Sequence, residues 1–308
     1  MAAPATGSRG PVLPAPGSPG AWVLACRPRT LTAAIAPVAV GAACAFHLGC
    51  LRPGPVAAAL LGALLIQVGT NLANDVQDGV RGTDRERVGP PRAVAAGLLT
   101  PAQVRAGMAV AFALATCCGL YLAWTAGWPV VAIGVLSILA GLAYTGGPWP
   151  LGYHGLGDLF VLVFFGLVAT AGTAYVSCGK VGPSALVAGL GPGATTTVLL
   201  AVNNLRDLET DRKAGKRTLQ VLLGRRGGEL EVFLLLLLAF VGVPAALHLG
   251  GMTGPGPWLV LLVAPGALAI ARGVRRARTP REWIDLLGRA ARLALAHGLF
   301  LALGIALG

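Results

Sequence analysis

The sequence predicts an all-α, polytopic membrane protein of about nine transmembrane helices, with its N-terminus on the cytoplasmic side. Three observations predict it. Of 308 residues, 55% are hydrophobic and only 12% charged, about half the charged share of a soluble domain. The apolar residues fall in runs of membrane length, broken by Gly, Pro or charge. When nine spans are counted from an inside N-terminus, all 24 Lys and Arg residues except Arg52 and Lys180 fall on the inner side, together with all 12 acidic residues. That asymmetry sets the orientation.

Residues 1–20 are Pro, Gly, Ala and Ser with few large apolar side chains, and are expected to form a disordered tail. They lack the basic start, apolar core and small-residue cleavage site of a removable signal peptide. Residues 21–308 are expected to form a single transmembrane domain. The first span runs near 31–48, entered through Arg27-Pro28-Arg29-Thr30. Later spans are expected near 56–74, 102–124, 128–144, 157–178, 184–204, 230–249, 257–272 and 286–307. Trp124 to Trp128 reads as a tight turn with an interfacial aromatic at each end.

The net charge of +12 and mean hydropathy of +0.73 fit a basic inner face better than a nucleic-acid surface. The expected partner is therefore the lipid bilayer and not nucleic acid, and no obligate protein partner is evident. The six cysteines show no ligand-like spacing and read as small apolar residues in or beside helices. The four histidines are scattered singly, which argues against a histidine metal site.

Two polar stretches stand out. NLANDVQDGVRGTDRERVGPPR (71–92) follows an apolar run, and carboxylates at the end of a membrane helix are costly unless something pairs with them. If the helix continues, Asn71, Asp75 and Asp78 share one face at i, i+4, i+7. NNLRDLETDRKAGKRT (203–218) repeats the arrangement with Asn203, Asp207 and Asp211 at i, i+4, i+8. The nine-span count puts both stretches on one membrane face.

Mg²⁺ takes oxygen ligands and often bridges one or two carboxylates to substrate phosphates. Asp75, Asp78, Asp207 and Asp211, helped by amide oxygens of Asn71 and Asn203, are the candidate metal ligands. Arg81, Arg92, Lys213, Lys216 and Arg217 are candidates to neutralise a diphosphate. A metal-bound diphosphate beside an apolar chamber implies a lipid-like diphosphate substrate. Loss of the diphosphate leaves an allylic cation for an electron-rich acceptor. A structural salt-bridge network is the competing reading of the same charges.

These motifs resemble those of the UbiA-type intramembrane prenyltransferases, whose first acidic motif has the form NDxxD and whose second has DxxxD. RPRTLTAAIAPVAVG (27–41), the stretch 74–92, YTGGPWPLGYHGLGDLFVLVFFG (144–166) and NNLRDLETDRKAGKRTLQVLLG (203–224) carry the resemblance. They are most similar to the branch that prenylates 1,4-dihydroxy-2-naphthoate in menaquinone synthesis. The resemblance implies nine helices around a central cavity and Mg²⁺ dependence. It further implies transfer of a polyprenyl chain from its diphosphate to a naphthoate ring, with loss of the ring carboxylate.

By the same resemblance Asp75, Asp78, Asp207 and Asp211 hold the metal-diphosphate. Arg27 matches the family's basic residue before the first helix, with phosphate contact and positive-inside anchoring as its two readings. Asp84 is placed in a capping loop with Arg87 and Arg92, or in a purely structural loop. Relatives that act on hydroxybenzoate often carry Lys or Arg soon after the fourth helix. Tyr144-Thr145-Gly146-Gly147-Pro148 has none, which favours a naphthoate acceptor. Tyr144, Tyr153 and Asp158 border the same face, as acceptor-orienting or proton-accepting groups or as interfacial anchors.

Another aromatic acceptor is one alternative. An ion-coupled transporter is a second, although it calls for acids near the bilayer midplane rather than at one edge. A phosphatidyl-alcohol transferase would gather its carboxylates in one contiguous motif.

Overall fold

A computed structural model of the protein describes residues 13–81 and 91–308. A short helix, α1 (Pro19–Cys26), leads into α2 (Pro28–His47), α3 (Pro53–Arg81), α4 (Pro101–Ala126), α5 (Pro129–Thr145), α6 (Gly157–Cys178) and α7 (Pro183–Arg206). After α8 (Leu208–Lys213) come α9 (Leu219–Leu249), α10 (Gly256–Arg276) and α11 (Pro280–Leu307). Among the described residues, 8 helices are long and apolar enough to span a membrane. The remaining apolar helix, α5, has 17 residues, the lower limit for crossing. The chain is a multi-pass membrane protein.

Pro28, Pro53, Pro101, Pro183 and Pro280 each open a spanning helix, and Pro129 opens α5. Proline suits that position because its ring presets φ and its missing N–H would have had no helical acceptor. Several spans therefore start a few residues before their first large apolar side chain. The largest differences are at α9, expected from 230 and found from Leu219, and at α11, expected from 286 and found from Pro280. Arg225, Arg226 and Glu229 precede the expected start at 230, yet they lie in the helix, where Arg225 Nε donates to Glu229 one turn on at 3.0 Å. The break in α9 is instead at Gly224, with φ of 69°, where a side chain would be strained. Thr279 and Glu282 form a reciprocal capping box that starts α11 outside its apolar run.

The expected tail, residues 1–20, lies outside the described residues up to residue 12. Beyond it Gly17 N–H donates to Leu98 O at 2.8 Å and Ser18 caps α1, so the chain is tied to the fold before residue 21.

α7 is the most enclosed span, packed against α2, α6, α9 and α11. Its approach to α6 is at backbone distance: a β-carbon on Gly166 would meet Gly189 O at 2.7 Å, and one on Gly193 would meet Leu162 O at 2.8 Å. Small residues allow this closeness between membrane helices. At the turn between α4 and α5, Trp124 and Trp128 are 84% and 77% exposed, as expected of interfacial aromatics.

One cysteine expectation is corrected. Cys50 and Cys178 form a disulfide across 128 residues of sequence. Cys50 precedes α3 and Cys178 ends α6, so the bond lies a helix length from Asp78 and Asp158, at the opposite ends of those helices. Spacing could not reveal it, because the pairing depends on two hairpins meeting. Cys26, Cys44, Cys117 and Cys118 are free thiols. Mass spectrometry of denatured protein alkylated before reduction is expected to show four modified cysteines, rising to six after reduction. Six without reductant would remove the disulfide.

Candidate active site

α3 has 29 residues, about 43 Å at the helical rise, and outlasts the ~30 Å apolar layer. Its last three turns carry the first motif. Asn71, Asp75 and Asp78 are 3%, 0% and 1% exposed, so the predicted shared face is the one turned inward. The second motif straddles the end of α7, where Asp207 separates that helix from α8.

Lys216 brings the two motifs together. Its Nζ lies 3.7 Å from Asp78 Oδ2 and 4.0 Å from Asp211 Oδ1. One cation therefore contacts carboxylates from both stretches, and both lie on one side of the molecule. Lys216 reaches this position through a turn in which its own N–H donates to Asp211 O at 2.9 Å and Gly215 takes φ of 73°. Tyr153 O–H donates to Asp78 Oδ1 at 2.8 Å, and Arg92 Nη2 is 3.9 Å from Asp78 Oδ2. The Tyr153 ring has Lys216 Nζ 4.9 Å and the Arg81 guanidinium 5.5 Å from its centroid, within cation–π range.

Asp75 takes backbone N–H groups, from Ala93 at 3.1 Å and Val94 at 3.4 Å. It holds the returning chain against α3. Asn71 sits a turn deeper and donates to Cys26 O (2.9 Å) and Thr30 Oγ1 (3.0 Å). Arg27, between α1 and α2 with φ of 53°, donates to Asn71 O at 3.4 Å. These three residues tie the first motif to the entrance of the bundle.

Asp207 is gripped by its neighbour. Arg206 donates from Nε to Oδ1 at 2.7 Å and from Nη2 to Oδ2 at 2.6 Å, with a further bond to Asn203 Oδ1 at 2.9 Å. The Arg206 side chain is 1% exposed, and its Nη1 has no hydrogen-bond partner. That leaves one buried donor direction for an anion. Sequence reading passed over Arg206, although its adjacency to Asp207 was the available signal.

The expected basic residues divide. Lys216 and Arg92 stand beside Asp78. Arg81 donates to Thr145 O and to Gly147 O, closing the C-terminal carbonyls of α5. Lys213 and Arg217 have exposed side chains, and Arg217 contributes its backbone N–H to Tyr153 O at 3.1 Å. Asp84 and Arg87 lie outside the described residues.

Tyr144 is wedged between glycines. A β-carbon on Gly157 would lie 3.0 Å from its hydroxyl, and one on Gly152 would lie 3.2 Å from Cε1. Asp158, 5% exposed, accepts from Gln220 Nε2 at 3.2 Å. Gln220 Nε2 also donates to Glu231 Oε2 at 2.7 Å, and Gln220 Oε1 accepts from Asn204 at 2.9 Å. This four-residue network carried no local sequence signal.

Whether the donors suit Mg²⁺ follows from their chemistry. Among the described residues no three His, Cys, Asp or Glu side chains converge as a ready-made cage. The hard oxygen donors Asp78 and Asp211 nevertheless face a shared cation position, now taken by the Lys216 ammonium. That fits an ion held by one or two carboxylates and completed by substrate phosphates and water. Asp78 and Asp211 would hold it.

Fold and site together define an integral membrane protein in which two acidic helix ends from distant parts of the chain meet at one lysine. The chain belongs to the UbiA prenyltransferase family, whose model matches residues 34–302. It is 39% identical over 289 residues to the 1,4-dihydroxy-2-naphthoate octaprenyltransferase of Mycobacterium tuberculosis, covering 93% of this chain and 97% of that one. It is 36% identical to the protein of the same name from Escherichia coli, covering 92% and 94%. A UbiA homologue from Archaeoglobus fulgidus, solved with GPP and Mg²⁺, shares the fold with a TM-score of 0.63 at 15% identity, over 91% of this chain and 99% of that one.

Proposed function

We propose that this protein is the prenyltransferase that joins a polyprenyl chain to 1,4-dihydroxy-2-naphthoate, with release of CO₂ and diphosphate, at the cytoplasmic face of the cell membrane. The observation that carries the reading is the meeting of Asp78 and Asp211 at Lys216. It supports a site for a metal-bound diphosphate with cations close by. The naphthoate acceptor is supported by the names of the relatives and by the absence of Lys or Arg from residues 144–148.

Lys216, Arg92 and the free Nη1 of Arg206 stabilise charge gathering on the departing diphosphate, where buried donors act more strongly than in water. Tyr153 fixes the rotamer of Asp78 through its hydroxyl and shields the chamber with its ring. When bound, Mg²⁺ would supply Lewis-acid activation of the leaving group. Tyr144 and Asp158 are assigned to the acceptor side. Ring carbon attacks the prenyl C1 as the C1–O bond breaks, and the bond to the ring carboxylate then returns its electron pair to the ring as CO₂ leaves.

Purified protein given polyprenyl diphosphate and Mg²⁺ is expected to prenylate 1,4-dihydroxy-2-naphthoate and release one CO₂ per product. Turnover is expected to cease with EDTA and return with added Mg²⁺. Product from 4-hydroxybenzoate and none from the naphthoate would overturn the acceptor assignment.

A further inference from the structure

The end of α10 and the start of α11 form a charged surface that the proposed reaction does not use. Seven arginines fall between residues 272 and 292, against two acids, Glu282 and Asp285. Arg225, soon after the second motif, donates to Val274 O at 3.1 Å and Ala277 O at 2.7 Å, and its guanidinium lies 5.5 Å from the centroid of the Trp283 ring. Those contacts put the surface on the same side of the molecule as the aspartate motifs. Both acids are engaged: Glu282 caps α11 and Asp285 pairs with Arg289 at 2.8 Å. Arg272, Arg275, Arg276, Arg281 and Arg292 are exposed and make no ion pair among the described residues.

Depth in the bilayer separates Arg292 from an ordinary positive-inside turn. α10 and α11 pack antiparallel at glycine distance: a β-carbon on Gly304 would meet Gly256 O, one on Gly266 would meet Leu293 Cδ1 at 3.2 Å, and one on Gly273 would meet Leu286 Cδ2. Gly256 opens α10, so Gly304 marks the opposite end of the helix pair. Arg292 is twelve residues from Gly304, about 18 Å at the helical rise and therefore inside an apolar layer of ~30 Å. It shares a helix face with Leu299 and Leu303, both exposed, so this face is turned to lipid. On α10, Arg272 follows exposed Leu268 by one turn. The Arg292 side chain runs back toward the start of α11, since a β-carbon on Gly288 would lie 3.7 Å from its Nη1. That is the direction in which a lipid-facing arginine reaches the headgroups. An exposed charge at this depth calls for a partner.

We propose that this surface binds an anionic phospholipid, its phosphate met by the Arg292 guanidinium in the field of Arg272, Arg276 and Arg281. Its acyl chains lie along the leucine face of α11. Arg272 and Arg276 stand within one turn of the Gly273–Leu286 crossing, so both helices contribute charge to one place. Guanidinium matches phosphate in geometry as well as charge, and basic surfaces between spanning helices suit anionic headgroups.

Native mass spectrometry of the detergent-purified full chain, titrated with phosphatidylglycerol or with phosphatidylcholine of the same acyl chains, tests it. The wild-type protein is expected to hold phosphatidylglycerol at least about fivefold more tightly, and Arg292→Gln to remove about fivefold of that affinity, the scale of one basic residue beside a headgroup. Arg272→Gln combined with Arg276→Gln is expected to cost at least as much, and being on the other helix it decides the matter if Arg292→Gln fails to fold. Arg105→Gln removes an exposed charge from the first turn of α4 and is expected to change the affinity by less than about twofold, because separate surface charges are screened from one another.

Equal affinity of the wild-type protein for the two lipids would overturn the proposal. So would a loss with Arg105→Gln as large as with the α10 and α11 variants, which would reduce the effect to overall net charge. Displacement of phosphatidylglycerol, one for one, by geranyl diphosphate would instead assign the surface to a prenyl diphosphate and overturn the phospholipid. The lipid titrations contain no acceptor and no metal, so they are decided independently of the prenyl transfer proposed above.

Discussion

Asp78→Asn is expected to abolish prenyl transfer, by at least about a hundredfold in kcat, while leaving the protein folded. The amide keeps an acceptor for the Tyr153 hydroxyl at 2.8 Å and nearly the same volume. It removes the charge that faces Lys216 at 3.7 Å and Arg92 at 3.9 Å. Deleting a single preorganised electrostatic group typically costs 10²–10³ in rate. Residual activity within about threefold of wild type, in protein that melts normally, would sink the two-motif site. Asp75→Ala is a poorer test, because Asp75 also receives the Ala93 and Val94 N–H groups and its loss confounds structure with catalysis.

Arg206→Met is expected to destabilise the protein by about 3–5 kcal/mol, the cost of removing one partner of a buried ion pair. The burial decides the scale: side chains of Arg206 and Asp207 are 1% and 7% exposed, so water screens the pair little. Combining Arg206→Met with Asp207→Asn is expected to recover most of the stability but none of the activity. Thermal melts of the two single variants and the double variant measure it as a cycle. A double variant no more stable than Arg206→Met would show that the pair is not the source of the loss.

Much of the site was readable because its spacing is local. Asn71, Asp75 and Asp78 recur at helical intervals, and burial of all three follows from that period. What the spacing could not assign is duty within the motif. Asp75 and Asp78 look alike in the chain, but one holds a returning backbone segment and the other meets the cations. Arg81 and Lys216 likewise both read as phosphate partners, yet Arg81 closes the end of α5. α9 starts at Leu219 and not at the expected 230, which places Gln220 and Glu231 on one helix, where Gln220 Nε2 donates to Glu231 Oε2 at 2.7 Å.

By itself the sequence determined the membrane architecture, the placement of its charges along the chain and the two acidic motifs. Hydrophobic run length, positive bias and helical period act over a few to about twenty residues, so the primary structure displays them directly. Only the tertiary structure decided which charges meet. The Cys50–Cys178 bond spans 128 residues, the Tyr153–Asp78 hydrogen bond 75 and the Gln220–Asp158 bond 62. Contacts over such distances depend on how the helices pack around α7, and no periodicity along the chain encodes that.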